Sequence, residues 1–304
     1  MKNIKLYDID SKIPNLALMK LSAYHKSVGD NVGFKIEKPD RIYASVIFKK
    51  NKWKADALRR EYPKSEVFIG GAGYNFKTTL PQGIELLKPD YDLYPSEYSL
   101  GYTTRGCIRN CDFCIVPKKE GKLRRAQHIR EFHDDRFKTV ICLDNNIYAD
   151  KKWFFENTNY ILENKLKFNA IQGMDIRILD KEIAERLKEL KWDGMIHFAF
   201  DNMKDEKKVL SGIDLLKSVG IKTRSKVSFY VLVGHSTTIE EDIYRCRLLK
   251  KHGATAYVMQ YKKSPETARL AWWANRPINF WTKDVTDIKR KFIHDVKEGQ
   301  TQLQ

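Results

Sequence analysis

The chain has 304 residues, 42% of them hydrophobic, and carries 56 Lys and Arg against 39 Asp and Glu for a formal net charge of +17. That length and apolar content exclude a disordered chain and suit about two domains of ~150 residues each; no apolar run approaches the roughly 20 residues that span a bilayer, so no membrane role is expected. The charge sets up a field that attracts polyanions, which makes nucleic acid the expected macromolecular partner, although lysine-rich solvated faces also follow from AT-rich coding. Met1–Ser11 is charged and polar without the apolar stretch of a secretory signal, and five cysteines without such a signal suit a reducing compartment, so the expected location is cytoplasmic.

Short β-type runs alternate with longer helical ones, the pattern of parallel βα units. The first series starts with IKLYD at Ile4–Asp8, continues through a helix near Asn15–Val28, the strand Arg41–Phe48 and a helix near Trp53–Tyr62, and reaches EVFIGGAG at Glu66–Gly73. It reads as a small open α/β domain over residues 1–94.

Next comes Gly101–Pro117, GYTTRGCIRNCDFCIVP, with Cys107, Cys111 and Cys114 in a C-x3-C-x2-C spacing and Phe113 directly before the last. Three thiolates on one short loop hold three irons of a 4Fe-4S cube and leave the fourth iron without a protein ligand, whereas a structural or electron-carrying cluster normally takes four cysteines. A structural zinc site is the alternative; it wants four ligands, and Cys142, His128 and His133 lack the spacing to supply the fourth. Cys142 and Cys246 lie in apolar or helical runs and read as buried small hydrophobes.

A second series over residues 95–263 supplies six candidate strands, Ser99–Thr103, Thr139–Leu143, Phe168–Gln172, Ile196–Phe200, Val227–Val233 and Ala256–Gln260. Helical spacing marks Ala149–Asn164, Lys181–Lys191, Asp205–Val219 and Ile239–His252 between them, with Gly220 and Gly253 as expected C-cap glycines. Polar residues collect at the strand ends: Asp144, Asn145 and Asn146 after the second, Gln172, Asp175 and Arg177 after the third, Asp201 after the fourth, Gly234 and His235 after the fifth, Met259 and Tyr261 on the sixth. Plainer roles exist for each: a helix cap for the Asp144 turn and for Asp201, a salt bridge to Asp175 or Asp180 for Arg177, a hydrogen-bonding loop residue for His235, core packing for Met259 and Tyr261. Residues 264–304 form an expected C-terminal helical extension, in which Trp272, Trp273, Phe280 and Trp281 either close the open side of the second unit or present a basic-aromatic surface to bases and phosphates. The first of these is expected, with Asn275-Arg276-Pro277 as the helix stop.

With the cysteine loop in view, the chain resembles the radical S-adenosylmethionine (SAM) superfamily, Cys107, Cys111 and Cys114 matching its cluster triad and Phe113 its aromatic. The resemblance implies that SAM occupies the open iron and that one electron, from a donor such as flavodoxin or ferredoxin, breaks its sulfonium bond to give a 5'-deoxyadenosyl radical that abstracts hydrogen from a substrate. It implies a partial (βα)6 TIM-type barrel with the chemistry at the C-terminal ends of the strands. Asp144, Asn145 and Asn146 then stand where the family binds the SAM amino group, and Arg177, which grips both oxygens of a carboxylate in a planar fork, suits the SAM carboxylate. Gln172 and Asp175 flank it, Asp201 suits ribose or substrate, Gly234 allows close backbone approach, His235 is a candidate proton donor, and Met259 and Tyr261 are candidates for the adenosine pocket.

A flavodoxin-like domain ahead of such a barrel resembles the cobalamin-binding domain of one branch of the superfamily, Gly70, Gly71 and Gly73 matching its glycines. The loop after the first strand reads DIDSKIPN and offers cobalt no axial histidine, so cobalamin is not favoured. The Cys114-Ile115-Val116-Pro117 run is also similar to transfer-RNA methylthiotransferases, but those carry three further N-terminal cysteines and Met1–Thr104 has none. The expected activity is radical SAM chemistry on a nucleic acid, transfer RNA or DNA. The alternatives are a peptide or small-metabolite substrate, or a non-catalytic nucleic-acid-binding protein with a structural zinc or cluster.

Overall fold

The computed structural model of the protein describes residues 1–288, so residues 289–304 of the expected extension lie outside the described residues. Alternation in NIKLYD buries Ile4 and Leu6 on one face of β1 (Asn3–Asp8). β1 pairs in parallel with β2 (Asn31–Gly33) on one side and β3 (Arg41–Ser45) on the other, and β4 (Glu66–Gly70) adds in parallel to β3, giving the order β2-β1-β3-β4. The helices Leu16–Ser27 and Lys52–Glu61 make the crossovers; Asn15 caps the first by accepting the Leu18 N–H at 3.2 Å.

The chain then enters β5 (Ser99–Gly101). An antiparallel ribbon of β6 (Thr104–Arg105) and β7 (Arg124–Arg125) closes the base of the cysteine loop. Parallel strands follow as β8 (Thr139–Cys142), β9 (Lys167–Ala170), β10 (Lys191–Trp192), β11 (Ile196–Ala199), β12 (Val227–Val233) and β13 (Thr255–Gln260). They form two parallel sheets, β10-β9-β8-β5 and β11-β12-β13. A bridge between Met174 and Phe198 links the two, with the Met174 N–H donating to the His197 carbonyl at 2.9 Å. Thus β5, β8, β9, β11, β12 and β13 follow one another in space as in sequence.

One face of these strands carries Val140, Phe168, Phe198, Phe229 and Val258, which meet Ile161, Leu187, Leu216 and Leu249 from the helices Lys151–Glu163, Lys181–Glu189, Glu206–Ser218 and Ile239–Lys251 in one large core. Asp150, Asp180 and Thr238 cap three of those helices, and Gly220 and Gly253 end two of them at φ +87° and +66°. Cys142 and Cys246 are fully buried in this core.

The aromatic tail packs. The helix Pro265–Ala274 lies against β13, stops at Asn275, and gives way to the helix Pro277–Thr282; Trp273 and Phe280 are fully buried, while Trp272 and Trp281 lie partly buried under Arg276 and Arg224. No helix among the described residues is long and apolar enough to cross a membrane.

Candidate functional site

The cysteine loop leaves β5 through Thr103 and Thr104, and the buried Asp144 carboxylate at the end of β8 accepts from both backbone N–H groups and both hydroxyls of that pair, at 2.5–2.9 Å. Asp144 therefore anchors the loop, and all four of its hydrogen bonds go to the chain. Burial raises its pKa, and the four donors oppose that rise. Asp150, six residues on, caps the following helix.

Gly106, directly before Cys107, has φ +77°, and a Cβ there would lie 2.2 Å from the Lys122 carbonyl oxygen. Its N–H donates to Glu120 at 2.9 Å, and the same carboxylate oxygen accepts the Asn145 amide at 3.0 Å, so Glu120 ties both legs of the loop to the end of β8. Arg105, which lies over the Tyr102 ring, faces Glu120 at 3.6 Å. The three cysteines are unpaired and half-buried on this frame.

Around them lies a ring of polar groups from other strand ends. Asp175 is gripped by Arg109 of the loop and by Arg177, each through Nε at 2.6 Å, and Arg177 reaches Asp205 at 3.1 Å. Burial would raise the Asp175 pKa, but the two guanidinium groups outweigh it and hold the carboxyl below its ordinary value. Asn146 accepts the Asp175 N–H at 3.3 Å while its own buried amide nitrogen has no partner. Asp201 accepts the Leu232 N–H at 3.0 Å through one oxygen; burial raises its pKa, against Arg245 and Arg177. His235 is wedged between Phe113 of the loop, centroids 5.6 Å apart, and Tyr261, 4.6 Å, with its buried Nδ1 unpartnered. Gly234 has φ +74°, where a Cβ would meet the Lys262 carbonyl at 2.7 Å, so its close approach is to β13's own extension. Met259 is half-buried on β13, and Gln172 is exposed, without a hydrogen bond among the described residues.

Burial raises the pKa of Cys111 and Cys114, and the neighbouring thiols and Asp201 raise both further, opposed by Arg177 at Cys111 and by the Val116 backbone at Cys114. Thiols that discourage one another's ionisation become thiolates when a cation joins them. Among the described residues no group of three His, Cys, Asp or Glu converges closely enough to hold a single metal ion. Three soft thiol donors on one short loop match the donor chemistry of an iron-sulfur cube, which takes one thiolate at each of three irons.

The strand-end rule picked out Asp201, Asn146 and His235; it missed Gly106, Glu120 and Arg109, which hold the loop in place. A glycine directly before the first cysteine was a usable signal for Gly106. Nothing in the spacing marks Glu120 or Arg109. The glycines after β4 serve chain packing: Cβ atoms at Gly71 and Gly73 would lie 2.2 and 2.6 Å from the backbone of Val46 and Phe48.

No family model matches the chain. A curated protein of Methanocaldococcus jannaschii, described as a "putative methylthiotransferase", is 30% identical over 166 residues, 46% of this chain and 36% of that protein. The chain thus spans little more than a third of its relative's length. The match is a partial likeness and by itself assigns the chain to no family.

Proposed function

We propose that the protein is a radical SAM enzyme acting on a large polyanionic substrate, with nucleic acid as the class its charge of +17 fits. The observation that carries this reading is the loop of three free, half-buried cysteines pinned at the exit of β5 and faced by Asn146, Asp201 and His235, two of which have a buried nitrogen without a partner. A buried nitrogen without a partner suits a ligand that supplies the missing hydrogen bond; His197, Arg245 and Trp272 carry such atoms elsewhere among the described residues. In this reading residues 1–94 form a flavodoxin-like unit, residues 95–263 a partial (βα)6 barrel, and residues 264–304 an extension. Cys107, Cys111 and Cys114 would hold the cluster, and the cluster with SAM supplies the one-electron chemistry when bound.

The chain's own residues bind, orient and exclude water. The Asn146 amide donates to a carboxylate or hydroxyl of the ligand, and the second oxygen of Asp201 accepts from an ammonium or ribose hydroxyl. The planar fork of Arg177 is taken by Asp175 through Nε and Nη2, so giving up Asp205 leaves its Nη1 to donate to a ligand carboxylate. Phe113, His235 and Tyr261 pack edge to face beside the loop, while Asp144 and Glu120 keep its two legs fixed. A flavodoxin or ferredoxin in the same compartment, expected to be the cytoplasm, would serve as electron donor. Methylthio transfer, the activity in the relative's name, is less well matched, since the resemblance implies three further N-terminal cysteines and residues 1–104 contain none.

The test is 5'-deoxyadenosine by mass spectrometry after anaerobic reconstitution with iron and sulfide, SAM and a strong reductant. The product is expected from the parent chain and not from the triple Cys107, Cys111 and Cys114→Ala variant. Equal product from both, or a parent chain that takes up zinc and no iron, would overturn the reading.

A further inference from the structure

The C-terminal edge of the first sheet carries three loops, those after β1, β3 and β4. In open α/β sheets a small ligand binds in the crevice at this edge where strand order reverses, here between β1 and β3. That crevice is filled by the chain itself. The Asp10 carboxylate accepts the N–H groups of Ile47 and Phe48 at 2.7 and 3.1 Å and the Asn51 amide at 2.8 Å, occupying the backbone donors an anionic cofactor would take. The Gly71 and Gly73 turn presses against the same segment, the Gly73 N–H donating to the Val46 carbonyl at 2.9 Å.

The loops so locked present a rim of a different character. Lys12, Lys49, Lys50, Lys52, Lys54 and Lys77 are all exposed, and Trp53 among them is 65% exposed on the first turn of the helix Lys52–Glu61. Lys52 lies 4.9 Å over the Tyr74 ring, and the Tyr74 hydroxyl donates to Asp56 at 2.8 Å, which holds the β4 loop with its exposed Phe76 beside that helix. The carboxylates nearby are engaged: Asp8 accepts from Tyr94 and Ser11, Asp10 from the loop, Asp56 from Tyr74. None of the six lysines forms an ion pair among the described residues.

We infer that this rim binds single-stranded nucleic acid, an unpaired base stacking on Trp53 while the lysines contact flanking phosphates. An exposed indole with the Lys54 ammonium 5.8 Å from its ring centroid and further lysines without ion pairs nearby combines a stacking surface with phosphate-binding charge, the pairing that holds a single strand without sequence preference. A lipid surface would call for several apolar side chains on one helix face, and the exposed face here is Lys50, Lys54, Asp56 and Arg59 around a single Trp. The inference rests on the polyanionic partner of the functional reading and not on its radical chemistry.

The experiment is fluorescence anisotropy of labelled single-stranded RNA and DNA 20-mers with the full chain, without SAM or reductant, at about 50 and 200 mM salt. Failure here therefore leaves the cluster assay untouched. Trp53→Ala is expected to weaken binding roughly tenfold, the loss of one stacked base, and Trp53→Phe to restore most of it. The triple Lys49→Glu, Lys50→Glu, Lys77→Glu variant is expected to weaken binding further and to flatten its salt dependence. Because these side chains are exposed, thermal unfolding should match the parent. Unchanged affinity in Trp53→Ala, equal affinity for duplex DNA, or binding to phosphatidylserine vesicles lost in the same variants while oligonucleotide binding stays would each overturn it.

Discussion

Gly106 shows how much of the site depends on backbone that no spacing motif describes. Its φ of +77° and the 2.2 Å that would separate a Cβ from the Lys122 oxygen mean that any other residue strains the turn by roughly 1–2 kcal/mol and also displaces the returning chain at Lys122. Gly106→Ala is therefore expected to speed amide hydrogen exchange over residues 101–125 by about tenfold or more, and to lower the iron retained after reconstitution, with little change in exchange of β12. Normal exchange and full iron in that variant would show that the turn is not what presents Cys107. Cys107, Cys111 and Cys114 were legible because thiols at that spacing have few uses. Asp144 was legible as a residue near the loop but not in its task, since a carboxylate at a strand end serves a ligand, a helix or a backbone equally well until the Thr103 and Thr104 donors are seen around it. Gly106 and Glu120 act through the chain's return at Lys122, a contact that only folding creates.

Among the elements, apolar periodicity gave the longer helices of both series to within about two residues, because each turns apolar residues toward the core and four of the six begin at a side-chain cap, Asn15, Asp150, Asp180 or Thr238. β2 and the β6-β7 ribbon were not legible: they are two or three residues long and bury little, so their pairing is dictated by neighbours. The helix Ile239–Lys251 carries a device of the same hidden kind. Its Arg245, fully buried, donates to the carbonyls of Phe200 and of Leu232, the latter at 2.8 Å, and pairs at 2.5 Å with Asp242, which in turn receives the Gly234 N–H and the Thr237 hydroxyl. One helix thereby fixes the exits of β11 and β12, where Asp201 and His235 begin. Removing one partner leaves a buried charge uncompensated, which costs about 3–5 kcal/mol, whereas replacing both with apolar groups is far milder. Urea unfolding of Arg245→Met should show that loss, and the Asp242→Leu, Arg245→Met double variant should recover much of it. A single variant within about 1 kcal/mol of the parent would mean that Asp242 is satisfied without its partner.

At the scale of the molecule, the N-terminal unit and the cysteine-bearing half meet through polar contacts. Tyr91 donates to the Phe132 carbonyl at 2.7 Å, Gln127, just after β7, donates to the Leu86 carbonyl at 2.8 Å, and the helix Leu16–Ser27 sends Lys20, 2% exposed, to the Gln127 side-chain oxygen at 2.8 Å and, within its own unit, to the Glu85 carbonyl. Burial lowers the Lys20 pKa from 10.5 to about 8, with Arg105 adding to the fall and Glu85 opposing it. A lysine whose pKa is lower folded than unfolded penalises the folded state wherever both forms are charged, below about pH 8. Between about pH 8 and 10.5 the unfolded chain holds the proton that the folded chain has released, so stability from this group rises with pH. The full difference is roughly 3 kcal/mol, from about 1.4 kcal/mol per pKa unit. Other lysines and tyrosines titrate in the same range, so the measurement is a difference: urea unfolding of the parent and of Lys20→Met at pH 7, 9 and 10.5. The parent is expected to gain on the variant as the pH rises, by an amount on the order of 2–3 kcal/mol across that window. Curves that stay parallel would show that Lys20 keeps its proton, and with it an ammonium solvated at the junction between the two halves.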